Sequence, residues 1–424
     1  MTPRPIRLVH IMTVPYSFTY LAGQVSYMKA RGFEIYGLSA PGELLSLFSE
    51  REGISVQAIE MTKRITPLLD LVALLRIWRW LRRVRPDIVH GHTPKGGFLG
   101  MLGAWLARVP VRIYHIRGLR FVTATGWKRH LLVWIEKLSC RFAHEVLCVS
   151  ASLRAQAVAD GLCSAEKIKV LGGGSGNGVD SINRFNPSKV LASSRSEIRA
   201  KYGIPNDAAV LGFIGRMVWS KGIVELAEAW RSLRNEYPYL HLLMVGRAEP
   251  EDPLPAEVEE LLRRDPRIHL TGEEWNTPPL YAAMDIVVLP TYREGFPNVL
   301  LEAAAMSLPV VATAVPGCVD AVQNGITGTL VPPYDSQRLA EAIKGYLENP
   351  ELRRQHGSAA RERAVREFRQ ETIWLAMYEE YLQCLLKKEL APPVLNSAQG
   401  LSPNGQSESA LGSRGRTGDR AAPA

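Results

Sequence analysis

The sequence predicts an α/β protein of two doubly wound domains that face each other across a cleft. Apolar runs of strand length alternate with helix-length segments along most of the chain, and a glycine-rich stretch at residues 171–180 interrupts that alternation. The 424 residues also suffice for two separate cores. Alternating strands and helices are typical of a parallel sheet covered by helices on both faces. We therefore expect two Rossmann-like domains, with ligands at the carboxyl ends of their strands.

The first domain is predicted to span residues 1–180. It begins with a strand, a loop, a helix and a second strand, which is the start of a doubly wound sheet. Its predicted strands are 6–12, 34–38, 88–90, 111–115 and 146–149, with a helix over 21–31.

The second domain is predicted to span residues 206–370, after an irregular interdomain linker at 181–205. Its predicted strands are 210–215, 240–245, 268–270, 286–289, 310–312 and 329–331. A C-terminal helix is predicted within 371–390. Packing of this helix against the first domain is one arrangement open to it. Residues 391–424 are rich in Ser, Gly, Pro and Asn and lack aromatic residues, so we expect a disordered tail.

Charge is unevenly distributed between the two halves of the chain. Residues 1–180 carry 24 Lys and Arg against 12 Asp and Glu, whereas the remainder carries 27 against 30. This asymmetry predicts an anionic partner for the first half. Nucleic acid is disfavoured as that partner, because no known reader motif accompanies the charge.

The cysteines and apolar runs predict a cytoplasmic protein. The five cysteines are scattered and none forms a CxxC pair, which disfavours a zinc site or a disulfide framework and favours a reducing compartment. We see no signal peptide and no uninterrupted apolar run of membrane-spanning length.

The most informative segment is residues 294–302. Glu294 lies in a glycine-containing turn, and Pro297 is suited to be the first residue of a helix whose free N–H groups can bind an anion. Glu302 then lies on the second turn, among apolar neighbours where an unpaired carboxylate is costly. A solvated helix residue is the alternative. The favoured interpretation is a site for a sugar attached to a phosphate.

A second segment predicts phosphate binding at the first strand of the second domain. Gly215 and Arg216 end that strand, and Lys221 and Gly222 precede the next helix. Two cations at the cleft can neutralise a diphosphate. The alternative is an ordinary pair of surface charges beside a strand-to-helix turn.

These residues carry a family resemblance. The chain resembles the retaining glycosyltransferases of the GT-B fold, family four (group 1), and among them enzymes that act on polyprenyl-diphosphate glycans. The resemblance covers residues from about 6 to 385. The matching pieces are Asn177 to Asp180 with Phe185, Gly215-Arg216 with Lys221-Gly222, residues 294–302, and residues 324–331.

The resemblance implies roles for the matching positions. Arg216 and Lys221, beside Gly215, would hold the donor diphosphate, and Glu302 would bind the ribose hydroxyls. Glu294 would orient the donor sugar and stabilise charge. The sugar and phosphate contacts would be completed by Gly295, Phe296, Pro297, Asn298, Val299 and Leu300. The chain contains no D-x-D, so we expect no metal and no other cofactor. Retention in the family is described as front-face substitution, with the diphosphate as base and no settled protein nucleophile.

One departure from the family concerns the end of the fourth predicted strand. The family often has His-Gly there, with the His near the reacting centre, but here Arg117 precedes Gly118. His115 lies two residues earlier and, in a strand, on the same face. Either residue can serve the site, and a packed strand-end role for His115 is the alternative. Arg117 cannot act as a base but can stabilise phosphate charge.

The acceptor side is predicted from the first half. Lys95 resembles a position in relatives that act on polyprenyl-diphosphate sugars. His90 and His92 have the spacing of metal ligands, but no third ligand is apparent, so we predict no metal site. The segment 68–85 mixes arginines with leucines and tryptophans, which suits docking on an anionic membrane surface or ordinary packing with a solvated basic face.

Together these features predict a retaining, metal-independent hexosyltransferase that uses a nucleotide-sugar, most plausibly a UDP-sugar. Its acceptor would be a polyprenyl-diphosphate-linked glycan at the inner face of the plasma membrane, in surface polysaccharide assembly. Alternatives are a nucleotide-sugar epimerase on the same fold, a transferase for a soluble small acceptor, and a nucleotide-sugar-binding module without catalysis. A dehydrogenase is disfavoured, because no G-x-G-x-x-G follows the first strand.

Overall fold

The computed structural model describes residues 4–62, 64–190, 193–249 and 252–390. The predicted disordered tail, from residue 391, lies outside these ranges. All the strand pairs described are parallel, and they form two sheets with helices on both faces. The predicted fold class, α/β with two doubly wound sheets, is confirmed.

The first sheet contains seven strands in the order β3-β2-β1-β4-β5-β6-β7. The strands are β1 (Ile6–Ile11), β2 (Phe33–Ser39), β3 (Ser55–Ala58), β4 (Ile88–His92), β5 (Val111–Ile116), β6 (Glu145–Cys148) and β7 (Ile168–Val170). The helices are α1 (Gln24–Lys29), α2 (Glu43–Glu52), α3 (Pro67–Val84), α4 (Pro94–Leu106), α5 (Gly126–Phe142) and α6 (Ala151–Ala159). The order in which strands are added to the sheet reverses between β1 and β4, and doubly wound sheets form their ligand crevices at such a point.

The second sheet contains six strands in the order β10-β9-β8-β11-β12-β13. The strands are β8 (Ala209–Ile214), β9 (Leu240–Val245), β10 (Ile268–Gly272), β11 (Ile286–Leu289), β12 (Val310–Thr313) and β13 (Gly328–Val331). The helices are α7 (Ser194–Lys201), α8 (Ile223–Glu236), α9 (Ala256–Arg264), α10 (Pro278–Ala283), α11 (Asn298–Ala305), α12 (Cys318–Ala321), α13 (Ser336–Glu348) and α14 (Pro350–Glu367). Strands β8, β9, β11 and β12 are buried along their whole length, which explains their continuous apolar sequences.

The expectation of an irregular segment at 181–205 is wrong in part, because α7 lies within it. Arg199 fixes this helix to the second sheet. Its fully buried guanidinium donates to the Ala208 and Ala283 carbonyls at 2.9 and 3.1 Å and to Asp285 Oδ2 at 2.9 Å. A helix so rich in charge is stabilised by these contacts and not by an apolar face.

The predicted helix over 21–31 is shorter than expected. A 3-10 helix, Pro15–Leu21, precedes α1, and Gly23 with a φ of 78° separates the two. The short strands β3 and β7 were not predicted. Most of their residues are partly or fully exposed, so these strands lack the apolar run that marked the other strands.

The last helix, α15 (Gln370–Leu386), returns to the first sheet. Tyr381 is buried there, and its hydroxyl lies 2.7 Å from His90 Nδ1. Lys169 and Glu380 form an ion pair at 2.9 Å, and Trp374 donates from Nε1 to Asn177 Oδ1 at 2.7 Å. The C-terminal helix is therefore part of the hydrophobic core of the first domain.

Direct contacts also join the carboxyl ends of the two sheets. Ser150 Oγ donates to the Gly295 carbonyl at 2.8 Å, and Gly317 N donates to Ser152 Oγ at 2.8 Å. Gly295 itself has no room for a side chain, since a Cβ would overlap the Arg117 carbonyl. These contacts hold the loop before α11 against the first domain.

Replacing Arg199 with alanine should lower the free energy of unfolding by about 3 kcal/mol or more, because Asp285 and four carbonyls lose a buried cation. Urea denaturation monitored by circular dichroism measures this change. The matched control is Arg195→Ala. Arg195 pairs with the same carboxylate at 2.7 Å but is partly exposed, so its loss should cost about 1 kcal/mol or less. Equal effects of the two variants would contradict this account of α7.

Candidate active site

A cleft of about 710 Å³ lies between the carboxyl ends of the two sheets. The first domain contributes the loop after β1, the start of α4 and the loop after β5. The second domain contributes the turn after β8 and the loop before α11. Predicted site residues that line the cleft are His115, Arg117, Arg216, Lys221, Glu294, Gly295 and Lys95.

The loop and helix at residues 294–302 have nearly the predicted form. Pro297 is the N-cap and not the first helical residue, so α11 begins at Asn298. Its first amide N–H groups lie at the loop that carries Glu294, as expected for an anion site. Glu294 forms an ion pair with Lys221, which fixes its carboxylate in the cleft.

Glu302 lies on the second turn of α11 but does not line the cleft. Its Oε2 accepts a hydrogen bond from the Tyr281 hydroxyl at 2.9 Å. Burial raises the pKa of the Glu302 carboxyl, so this residue is not a solvated helix position. No local pattern indicated Tyr281, which lies on α10 and reaches Glu302 only through the fold.

Other residues of the segment pack into the core beneath the loop. Phe296 packs against Phe368 with ring centroids 5.4 Å apart, and Leu300 is buried in the core. Neither these residues nor Asn298 and Val299 line the cleft. Their positions leave backbone groups as the part of the segment that a ligand can meet.

Arg216 and Lys221 stand on the wall formed by the second domain. Arg216 follows β8, is about half exposed and pairs with Glu249 at 2.6 Å. Lys221 ends a 3-10 turn held close to Pro290, because Gly222 with a φ of 68° has no Cβ to collide with the Pro290 carbonyl. Exposed ion pairs contribute little, so Arg216 can exchange its carboxylate for a phosphate at small cost.

A smaller cavity of about 310 Å³ adjoins the cleft beside Gly215. It shares Val14, Ser17, Tyr20, Arg216 and Glu249 with the cleft. At its far side, Tyr16 and Trp275 form an aromatic wall with ring centroids 5.6 Å apart. A flat ring attached to a phosphate in the cleft fits this arrangement.

Arg117 reaches the cleft from the end of β5. Its Nε donates to His92 Nδ1 at 3.1 Å, and its guanidinium carbon lies 5.2 Å from the centre of the Tyr20 ring. Burial lowers the pKa of Arg117 to about 10, so the group remains charged at neutral pH. His115 lines the floor of the cleft but is only 3% exposed, and burial and the Arg117 charge lower its pKa well below the usual range.

The expectation that His90 and His92 lack a third potential ligand is wrong. His10 lies with them, and ligand atoms of the three residues are within 4.8 Å of one another. The register of the sheet explains the cluster, because His10 is paired with His90 and His92 with His115. Sequence reasoning missed His10, since it needed the β1–β4–β5 strand order.

The hydrogen bonds in this cluster give His92 a defined role. Since His92 Nδ1 accepts from Arg117, its Nε2 carries the proton and donates to His10 Nδ1, 3.0 Å away. Burial lowers the pKa of His10 to about 3 and the pKa of His92 well below 6.5, so both rings are neutral. A neutral acceptor held this way orients the Arg117 guanidinium.

A second set of cations lies on the wall formed by the first domain and the adjoining rim. Lys95 pairs with Asp70 of α3 at 2.8 Å, and Arg293 is partly buried beside Glu294. The set also includes positions that sequence reasoning did not single out, and its first-domain members are Arg64, Lys95, Arg120 and Lys128. Arg293 belongs to the loop before α11 of the second domain.

The first half of α3 exposes apolar side chains next to this rim. Leu68 is 82% exposed, and Trp127 at the start of α5 is 67% exposed. Exposed Leu69, Leu71, Val72 and Leu75 continue the α3 surface. Trp78 and Trp80, which suggested membrane contact in the sequence, are partly buried instead. Within the described ranges, no helix has the length and apolar character needed to cross a membrane.

Comparison with known proteins agrees with this architecture. Residues 19–174 match the model of the glycosyl transferase 4-like domain, and residues 194–363 match glycosyl transferases group 1. The capsular polysaccharide biosynthesis glycosyltransferase CapM of Staphylococcus aureus is 31% identical over 381 residues, covering 89% of this chain and 98% of CapM.

Two further similarities extend the comparison. The N,N'-diacetylbacillosaminyl-diphospho-undecaprenol alpha-1,3-N-acetylgalactosaminyltransferase of Campylobacter jejuni is 28% identical over 71% of this chain and 78% of its own. The structure of Anabaena Alr3699/HepE with UDP and glucose superposes with a TM-score of 0.74 at 22% identity, over 89% of this chain and 99% of that one. The chain therefore belongs to the group 1 glycosyltransferases and has the GT-B fold.

Proposed function

We propose that this glycosyltransferase moves a sugar from a UDP-sugar to a polyprenyl-diphosphate-linked glycan, with retention of configuration, in surface polysaccharide assembly. The observation that carries the proposal is the presence of two sets of cations in one cleft. Arg216 and Lys221 face it from the second domain, and the set around Lys95 and Arg120 lies on the opposite side. Two diphosphates, one on the donor and one on the acceptor, match this division.

The donor half is built from the second domain. The smaller cavity with Tyr16 and Trp275 accommodates the base. Glu302, held by Tyr281, lines neither cavity, so its assignment to the ribose hydroxyls rests on the family motif. Arg216, Lys221 and the first amides of α11 neutralise the diphosphate. The relative Alr3699/HepE has been crystallised with UDP and with UDP-glucose, which supports a UDP-sugar as the donor here.

The reaction needs charge stabilisation on the leaving diphosphate, and the two cations with the helix start supply it. Glu294, fixed by Lys221, orients the sugar and stabilises its developing positive charge. The departing diphosphate accepts the proton of the acceptor hydroxyl. Substitution then occurs on the face that the diphosphate leaves, and the configuration is retained.

We propose that the reaction is metal-independent, because Arg216, Lys221 and the first amides of α11 supply the positive charge that a leaving diphosphate needs. Of the carboxylates in the cleft, Glu294 pairs with Lys221, and Asp252 Oδ2 accepts from Ser220 Oγ at 2.7 Å. A divalent ion at either carboxylate would have to displace these partners.

The acceptor half is built from the first domain. Its cations suit a diphosphate, and the exposed leucines of α3 beside them suit a polyprenyl chain or the membrane that contains it. The Campylobacter jejuni relative is named for a diphospho-undecaprenol acceptor, which supports this acceptor class. We propose that the protein binds peripherally at the inner, anionic face of the plasma membrane.

The alternative functions account for fewer of these structural features. An epimerase on the same fold, or a transferase for a soluble acceptor, requires neither the second set of cations nor the exposed apolar surface of α3. A module without catalysis does not require Glu294 to be held at the cleft by Lys221.

Replacing Glu294 with glutamine, or Lys221 with methionine, should lower kcat for transfer about 100-fold or more, because each removes charge at the reacting centre. Transfer from UDP-sugars to a synthetic undecaprenyl-diphosphate glycan measures the loss. Lys344→Met, which removes an exposed lysine on α13, is the matched control and should retain activity. Near-normal turnover of either site variant in a folded protein would refute the assignment.

Chelation should leave transfer unchanged, because cations of the chain neutralise the leaving diphosphate. The assay compares rates with EDTA and after addition of Mg²⁺ or Mn²⁺. Loss of activity with EDTA that either ion restores would contradict metal independence.

A double change of Leu68 and Leu71 to aspartate should weaken binding to phosphatidylglycerol vesicles, because both side chains are exposed on α3. Cosedimentation at low salt measures binding, and phosphatidylcholine vesicles should bind less protein than anionic ones. Leu375→Asp, an equally apolar exposed position on α15, serves as the control. If the α3 variant binds as well as the control, α3 is not the docking surface.

A further inference from the structure

Arg117 presents an unused half of its guanidinium to the cleft. Its Nε donates to His92, but its two terminal nitrogens donate to no acceptor among the residues that the structure describes. No carboxylate in the same ranges forms an ion pair with it. Since the side chain lines the cleft, these N–H groups can be reached by a ligand.

A partly buried cation without a counter-charge is unfavourable, because no opposite charge compensates the loss of hydration. Arg117 nevertheless remains charged at neutral pH, since burial lowers its pKa only to about 10. The site is therefore suited to an anion that completes it, and such an anion would be bound strongly.

The two terminal N–H groups of Arg117, the guanidinium fork, are also held rigidly. His92 accepts from Nε and is itself oriented by His10, while the Tyr20 ring lies on the guanidinium. Gly176 closes the remaining side, where any Cβ would overlap Nη1. A fixed, planar pair of donors is selective for planar or tetrahedral oxyanions that accept two parallel hydrogen bonds.

The position of the Arg117 backbone relative to Glu294 indicates which part of the donor this residue meets. The Arg117 carbonyl lies against Gly295, and a Cβ on Gly118 would lie 3.8 Å from Gly295 N. Gly295 follows Glu294, the residue assigned to the donor sugar. Arg117 thus stands at the sugar end of the donor site, whereas Arg216 and Lys221 serve the diphosphate.

We propose that Arg117 recognises a carboxylate on the transferred sugar, so that the donor is a UDP-hexuronate and not a UDP-hexose. This inference rests on the proposed function of the cleft as a UDP-sugar site. The donor diphosphate and the acceptor diphosphate each have their own cations, and the carboxylate is a third anion for the unpaired terminal N–H groups of Arg117.

Isothermal titration calorimetry with UDP, UDP-glucose, UDP-galactose, UDP-glucuronate and UDP-galacturonate tests this inference. The wild-type protein should bind at least one hexuronate about 10-fold or more tightly than the matching hexose, as expected for a charge-assisted bidentate contact. Arg117→Met should abolish that preference. Arg117→Lys, which keeps the charge but loses the fork, should reduce it and provides a second variant if methionine prevents folding. Arg264→Met, on the exposed surface of α9, should leave it intact.

The outcomes separate this inference from the proposal on which it rests. If UDP binds but neither hexuronate is preferred, or if Arg117→Met keeps the preference, the carboxylate assignment is wrong. If Arg117→Met weakens UDP itself by the same factor as the hexuronate, the fork holds the donor diphosphate instead. If wild-type protein binds neither UDP nor any UDP-sugar, the proposed function fails as well.

Discussion

The site depends on the close approach of the Gly295 backbone to the first domain. Arg117 lies against Gly295 from one side, and Ser150 donates to its carbonyl from another. Only glycine permits this approach, because a Cβ would overlap the Arg117 carbonyl. The contact places Glu294 and the start of α11 opposite the loop after β5. Side chains of both domains therefore meet in one cleft.

Electrostatics then divide the cleft. Lys221 holds Glu294, Arg216 is paired weakly at the surface, and the cations around Lys95 lie across from them. Arg117 differs from both sets, because it is only partly exposed, forms no ion pair with a described residue and is oriented by neutral histidines. The buried residues His10, His90, His92 and His115 lie together beside it. Burial lowers the pKa values of His10 and His92, so both rings are neutral and His92 can accept from the guanidinium.

Much of the fold and the local form of residues 294–302 could be predicted from the sequence, because periodicity and helix signals are local. Alternating apolar runs predicted both sheets, and the position of Pro297 placed Glu302 on the second turn of α11. Contacts between distant segments could not be predicted. Tyr281, His10 and the return of α15 depend on strand order and packing, and α7 depends on the buried bonds of Arg199.

The proposed reaction requires the cleft to bind two diphosphates on opposite walls. A crystal structure of the protein with UDP and a short polyprenyl diphosphate, such as farnesyl diphosphate, would locate both. We expect the UDP phosphates at Arg216, Lys221 and the start of α11, and the lipid diphosphate at Lys95 and Arg120. Competition of both ligands for Arg216 and Lys221, with no anion bound on the first domain, would contradict this expectation.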